Sequence, residues 1–207
     1  KLLGFINEDN KFTNQGKKLI LNYKNRKKEK IKNILSQQHE KFVFWNDLFS
    51  LTDRHSGKRN VDELFKIFPI FFIYQVILKL REFGYKKNEL TKFEIENFLI
   101  FCQNHSDLDQ VVGNIIKYRS YGEIYELEKF LKANNRMDSR FFPILKNIKY
   151  FNFNKKKIAI SENYVDEISN KIKKFNQNYT NNKVIFFDKT NPNKYKKFLG
   201  EDIDLAN

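Results

Sequence analysis

The side chains of this sequence with the clearest chemistry are its arginines and lysines, which suit contact with polyanions. Lysine and arginine together number 39, against 25 aspartates and glutamates, so the net charge is +14. A guanidinium can pair with both acceptors of a guanine, and an ammonium neutralises backbone phosphates. Nucleic acid is therefore the first partner to consider and an anionic membrane surface the second, although a Lys- and Asn-rich chain can also reflect a biased genome.

The candidate DNA-contact residues are all basic. Arg119, Arg136 and Arg140 are the candidates for base contact, since guanidinium reads guanine bidentately. Each could instead form an ion pair with the acidic stretch at residues 123–128. The remaining candidates are expected at phosphates. The full set is Arg54, Lys58, Arg59, Lys117, Arg119, Arg136, Arg140, Lys146, Lys155, Lys156 and Lys157.

Catalytic motifs are missing from the sequence, which has no Gly-rich phosphate loop, no nucleophile elbow and no paired-histidine metal motif. Cys102 is the single cysteine, so it forms no internal disulfide, which fits the cytoplasm as the expected location. One cysteine and three histidines also give no structural zinc site. No signal peptide precedes the first structural pattern. Catalysis by this segment alone is not expected.

The most apolar stretch, residues 64–80, is interrupted by Lys66, Gln75 and Lys79, so it is too short and too charged to span a bilayer. Apolar side chains surround almost the whole helical circumference, which predicts the buried central helix of a compact domain. Helical periodicity recurs along the chain, and strands are short. The predicted fold class is mainly α with small β-hairpins, that is, α+β.

Two stretches share the pattern of a hairpin followed by a helix. In residues 3–20 a short strand, a polar turn at residues 7–11 and Phe12 lead to Thr13 as N-cap. The pattern predicts one helix with Leu19, Tyr23 and Leu35 among its inward residues and a solvated basic outer face. Because the chain begins inside this pattern, we expect residues before Lys1.

The second such stretch is residues 150–172. Alternating apolar residues flank a lysine-rich tip at residues 154–157, and Ser161 is the expected cap of the last helix. Lysines at a hairpin tip suit a DNA-contacting wing, but they also protect edge strands from aggregation. Thr91 and Glu94 have the spacing of a capping box, and Asp107 is the expected cap of the helix that follows. An amphipathic helix is predicted at residues 123–135.

Helices followed by a two-stranded hairpin and a further helix have the order of a winged helix, a variant of helix-turn-helix. The sequence therefore predicts tandem winged-helix subdomains. Residues 1–60 would end the first one, with a loop at residues 52–60, and residues 61–175 would form the second. Residues 176–207 would be a tail, with a polar linker at residues 176–183 and a strand-like segment at residues 184–190.

Three segments resemble those of AlwI-type type II restriction endonucleases in order and spacing. They are LLGFINEDNKFTNQGKKLI at residues 2–20, the stretch from FKIFPIFFIYQ to FEIENFLIF at residues 65–101, and DLDQVVGNIIKYRS at residues 107–120. The resemblance implies a type IIS architecture. A recognition part built on winged helices binds an asymmetric double-stranded DNA site as a monomer, and a separate Mg²⁺-dependent nuclease domain cuts at a fixed distance.

The chain departs from that family in its catalytic motif. Such a nuclease needs an Asp and a nearby Asp/Glu-x-Lys triplet to hold Mg²⁺ and activate water. The triplet here is Asp9-Asn10-Lys11, which lies in the first hairpin turn without an upstream Asp. The chain is therefore interpreted as a DNA-recognition part without its cutting domain. No metal, small-molecule substrate or membrane is expected for this segment.

Two other functions remain open. A non-enzymatic winged-helix protein, such as a transcription regulator or plasmid replication initiator, would have the same outline, but it would dimerise on symmetric or repeated sites. An RNA-binding or membrane-surface protein could use the lysine face of residues 17–32. For the DNA interpretation, with about 6–10 phosphate contacts, affinity should fall on the order of a thousandfold or more between about 50 and 200 mM salt.

Overall fold

The computed structural model describes residues 3–43, 66–84, 89–100, 102, 104–121, 141–186 and 190–206. These residues are mainly helical, with one small antiparallel sheet, which confirms the α+β class. The helices are α1 (Asn14–Lys24), α2 (Lys28–Glu40), α3 (Pro69–Glu82), α4 (Lys92–Glu94), α5 (Leu108–Tyr121), α6 (Phe141–Ile144), α7 (Val165–Thr180) and α8 (Pro192–Gly200). The strands are β1 (Glu89–Thr91), β2 (Phe151–Phe153) and β3 (Lys157–Ile160).

The sheet is antiparallel, and its strand order is β1-β3-β2. The predicted second hairpin is confirmed, because Phe151 pairs with Ile160 and Phe153 with Ile158. Strand β1 was not predicted. It is only three residues long and has one buried side chain, Leu90, which is too little alternation to identify a strand from sequence.

The predicted central helix is confirmed as α3. Its side chains from Ile70 to Ile77 are buried all round, and α3 packs against α2, α5 and α7. Pro69 stands in the first turn of α3, where its missing N–H has no intrahelical partner to lose. Among the described residues, no helix is both long and apolar enough to cross a bilayer.

The single helix predicted after Thr13 is wrong, because the chain forms two helices that are joined by a tight turn. Thr13 caps α1 as predicted, since its Oγ1 accepts a hydrogen bond from Gly16 N at 3.2 Å. Arg26 then adopts a left-handed conformation with φ 52° and ends the helical run. Tyr23, predicted to point inward, is 75% exposed beside this turn.

Two helix starts follow strand β1. The capping box is confirmed, because Thr91 Oγ1 accepts from Glu94 N and the Glu94 carboxylate accepts from Thr91 N. A π-helical segment, Ile95–Leu99, continues this helix. Asp107, the predicted cap, stands directly before α5. Asn104 caps the 3₁₀ turn His105–Asp107 that leads into α5, and Asp107 supplies the reciprocal carboxylate.

The end of the chain is folded more fully than its polar sequence predicts. The linker predicted at residues 176–183 is wrong for residues 176–180, which form the last turn of α7. The predicted strand is absent from residues 184–186, which are irregular. Helix α8 contributes Tyr195, Phe198 and Leu199 to the same core cluster as Phe71 and Ile158. The predicted loop at residues 52–60 and helix at residues 123–135 lie outside the described residues.

The predicted first hairpin is a single antiparallel bridge between Ile6 and Phe12, and the segment that contains it docks on α8. Thr13 Oγ1 donates to Gly4 O at 2.5 Å. Gln38 Nε2 donates to the carbonyl oxygens of Leu3 and Leu199, both at 2.7 Å. These bonds hold the two ends of the described chain together at one point.

His105 is a neutral structural histidine. Its Nε2 accepts from the backbone N of Phe68 at 3.0 Å, so the ring proton lies on Nδ1, which contacts Gln75 Oε1 at 2.7 Å. Phe72, Phe175 and Tyr179 surround the ring. Burial lowers the pKa of His105 to about 3. A second ring proton would have to sit on Nε2, where it would point at the N–H of Phe68. The folded protein therefore keeps His105 neutral.

Mild acid is therefore expected to destabilise the protein through His105. Between about pH 6.5 and 3 the unfolded chain binds a proton that the folded chain does not, so stability falls as pH falls. From pH 7.5 to 5.0 this contribution amounts to about 2 kcal/mol. Urea unfolding of wild type and His105→Gln at both pH values measures it, because glutamine can still accept from Phe68 N but does not titrate. If the stability of both proteins depended equally on pH, His105 would not be the source of the loss in mild acid.

Candidate nucleic-acid interface

The hairpin tip, residues 154–157, is a fixed turn that presents lysines to solvent. Asn154 Oδ1 accepts from the backbone N of Lys156 at 2.8 Å and of Lys157 at 2.9 Å. Lys155 and Lys156 are exposed, whereas the half-buried Lys157 forms an ion pair with Glu89 Oε2 at 2.9 Å. Two of the three predicted tip lysines are therefore available for phosphates.

The hairpin tip is attached to the start of α4. The backbone N of Lys92 donates to Lys156 O at 2.6 Å, and Thr91 is the register partner of Lys157 in the sheet. The side chain of Lys92 lies beside Glu96, at 3.4 Å. Movement of the tip relative to this helix is thereby restricted, so the tip and α4 form one surface.

Arg119, predicted to contact a base, is placed inside this assembly. Its Nε donates to Glu94 Oε1 at 2.6 Å, and its Nη2 donates to Glu94 Oε2 and Glu89 O, both at 3.0 Å. The Glu94 side chain is only 2% exposed. Arg119 thus joins the end of α5 to β1 and α4, and its carboxylate partner among the described residues is Glu94. The Arg119 side chain is 18% exposed in this position.

The other predicted contact residues are dispersed. Lys117 and Lys146 are exposed, on α5 and on the 3₁₀ turn Leu145–Asn147. Lys117 precedes Arg119 by two residues, about 200° around the helix, so it points away from Glu94. Outside the described residues lie the remaining five, which are Arg54, Lys58, Arg59, Arg136 and Arg140.

Besides the predicted Lys117, the polar face of α5 carries two amide side chains that were not singled out by number, Gln110 and Asn114. Gln110, Asn114 and Lys117 are all exposed, and their spacing of four and three residues puts them in one row. The opposite side of the helix buries Val111 and Ile115. Among the described residues, none forms a hydrogen bond or ion pair with the three polar side chains. Periodicity alone could have found this row.

A polar cleft of about 330 Å³ lies between α2, α7 and the segment before the hairpin. Most of its charged groups already have partners: Lys171 lies 3.1 Å from Glu40 and 3.5 Å from Asp204, and Lys149 lies 2.9 Å from Glu167. Burial raises the pKa of Glu40 despite Lys171. These pairs connect α2 to α7, so the cleft is explained by structural contacts.

The described residues contain no group of three or more His, Cys, Asp and Glu side chains that could hold a metal ion. Asp9-Asn10-Lys11 lies in the exposed turn between Ile6 and Phe12, where the sequence placed it. No family model matches the chain, and no curated protein is significantly similar to it. Its function is therefore inferred from its own fold and surface.

Proposed function

We propose that residues 66–180 form a winged helix and that the chain recognises a double-stranded DNA sequence as the recognition part of a type IIS restriction endonuclease. The order of elements supports a winged helix, because α3, β1, α4 and α5 precede the β2–β3 hairpin. The sheet order β1-β3-β2 supports it too, since the strand between the first helices joins the hairpin. The earlier, truncated winged helix stays a prediction.

The polar row of α5 is the observation that carries this proposal. An α-helix fits the major groove, where Asn and Gln amides pair bidentately with adenine and Lys with guanine acceptors. Gln110, Asn114 and Lys117 supply these groups in one row, and the buried side of α5 holds the helix on α3. We assign base contacts to this row, in place of Arg119.

Phosphate contacts come from the hairpin tip. Lys155 and Lys156 are exposed on a fixed turn next to α4, which suits a wing that lies on the DNA backbone. Arg119 is a positioning residue in this arrangement, because its ion pair with Glu94 fixes α5 relative to the sheet. Lysines supply salt-sensitive affinity, and the α5 amides supply specificity.

Cleavage in this proposal belongs to a separate Mg²⁺-dependent nuclease domain. No residue of the described part of the chain is assigned a role in that cleavage. This chain would bind an asymmetric site as a monomer. A regulator or replication initiator with the same fold is the alternative, and it would bind symmetric or repeated sites as a dimer.

Selection of bound duplexes from a random pool at moderate salt tests the proposal. We expect one short asymmetric sequence, bound by a monomer. Asn114→Ala should relax the preference at one base pair by about 1–3 kcal/mol of discrimination. Asn193→Ala, which removes an exposed asparagine from α8, is the matched control and should leave the preference unchanged. Symmetric sites would favour the regulator, and no enrichment would reject sequence recognition.

A further inference from the structure

The turn between α1 and α2 lies in a strongly basic stretch of the described residues. We call residues 24–32 the basic elbow; they contain five lysines and one arginine against a single glutamate, Glu29. All six cations are exposed, and none forms an ion pair with a described residue. The cations are Lys24, Arg26, Lys27, Lys28, Lys30 and Lys32.

The elbow has a defined conformation that keeps these charges close together. Arg26 is left-handed, and the backbone N of Lys27 donates to Asn22 O at 2.9 Å. The N–H of Ile31 then donates to Lys27 O at 3.1 Å as α2 begins. Like charges on neighbouring helical positions repel one another and weaken folding. The stability of the protein therefore does not explain this cluster, whereas an external polyanion does.

The elbow is rigidly linked to the segment that leads into the hairpin. In α2, Ser36 Oγ accepts from the backbone N of Lys149 at 2.7 Å, two residues before β2. Eight residues of helix separate Ser36 from Lys28, a rise of about 12 Å. One turn of duplex DNA is about 34 Å long. The distance along α2 from the elbow to this hydrogen bond is thus shorter than one turn of duplex DNA.

Other polyanions fit the elbow less well. Membrane insertion needs a continuous apolar face, but the exposed Leu21 and Tyr23 are two residues apart and so lie about 200° apart around α1. Single-stranded RNA is held by several stacking aromatics, and Tyr23 is the one aromatic side chain in residues 17–32. A dense group of lysines that has neither a continuous apolar face nor several stacking aromatics fits the phosphates of a duplex.

We propose that the basic elbow binds the backbone phosphates of duplex DNA. This inference rests on the proposed function for its choice of polyanion, but not on sequence recognition. The elbow lengthens the contact with DNA without adding base preference, and it strengthens binding to any duplex.

The test compares duplex affinity over a range of salt concentrations. The elbow variant is Lys27→Gln, Lys28→Gln, Lys30→Gln, and the control variant is Lys183→Gln, Lys194→Gln, Lys197→Gln. Both remove three exposed charges, so the change in net charge is matched. We expect the elbow variant to lose up to about 2.7 from the slope of log affinity against log salt, and at least about tenfold in affinity. The control should change either quantity little.

Two further measurements vary the length of the DNA that flanks the site and replace the duplex with other polyanions. Wild type should gain affinity when the selected site carries about ten extra base pairs of flank, and the elbow variant should not. Equal losses in both variants would overturn the proposal. So would elbow-dependent binding to phosphatidylserine vesicles or single-stranded RNA with duplex binding unchanged. If no sequence is selected but the elbow variant still loses duplex affinity, the elbow proposal holds and sequence recognition fails.

Discussion

Replacing Gly4 with alanine is expected to lower the free energy of unfolding by about 2–5 kcal/mol. Gly4 has φ 69°, and an added Cβ would lie 2.2 Å from the carbonyl oxygen of Leu199 and 2.8 Å from Gly200 N. These neighbours are backbone atoms of α8, so relief requires a shift of the helix rather than of a flexible side chain. The loss should appear in urea or thermal unfolding.

The control for this variant is Gly84→Ala. Gly84 is also left-handed, with φ 86°, but an added Cβ there meets nothing within 4 Å. Its substitution should cost only the conformational penalty, about 1–2 kcal/mol. The difference between the two variants isolates the contact of Gly4 with α8. If both variants lose the same stability, the close approach of Gly4 to Leu199 adds nothing to the cost of placing alanine in a left-handed conformation.

The segment that contains the Ile6–Phe12 bridge needs glycine at positions 4 and 16. An added Cβ on Gly16 would lie 2.0 Å from Phe5 O, so this glycine allows the bridge segment to cross the start of α1. Thr13 between them both caps α1 and binds Gly4 O. In this chain these residues join the first residues to α8, which is a structural role.

Sequence reasoning predicted the features that depend on neighbouring residues. The Thr91–Glu94 capping box, the Thr13 cap and the second hairpin each have a signal within a few positions. The break at Arg26 has no such signal, since neither Gly nor Pro stands in residues 17–32. Residues 176–180 looked like a linker, yet they continue helix α7, in which Phe175 is buried and the Tyr179 hydroxyl donates to Lys66 O.

Contacts between residues far apart in the chain could not be predicted from the sequence, for a different reason. Gly4 meets Leu199, and Gln38 meets the same carbonyl, so the relevant partners are about 160 residues or more away in the chain. For Arg119 the sequence offered the nearest carboxylates, but the fold supplied Glu94, 25 positions earlier. Charges in the sequence alone therefore do not distinguish residues that position other groups from residues that contact a ligand. The burial of each side chain in the fold distinguishes them.

Arg119→Met is expected to cost about 3–5 kcal/mol of stability, because it leaves the buried Glu94 carboxylate without its guanidinium. Glu94→Gln combined with Arg119→Met should cost clearly less than Arg119→Met alone, since no unpaired charge then remains. A glutamine can also keep its part in the capping box with Thr91. Unfolding of the single and double variants gives the coupling energy of the pair.

The same variants test the role proposed for Arg119 in DNA binding. If it is a positioning residue, the double variant should select the same duplex sequence as wild type, with reduced affinity, because α5 is held less firmly. Loss of preference for a guanine at one position would instead make Arg119 a base reader, which would require it to leave Glu94 on binding. The pair with Glu94 makes that exchange unfavourable, because the carboxylate is 2% exposed and would lose its cation. The first outcome is therefore the one that this geometry predicts.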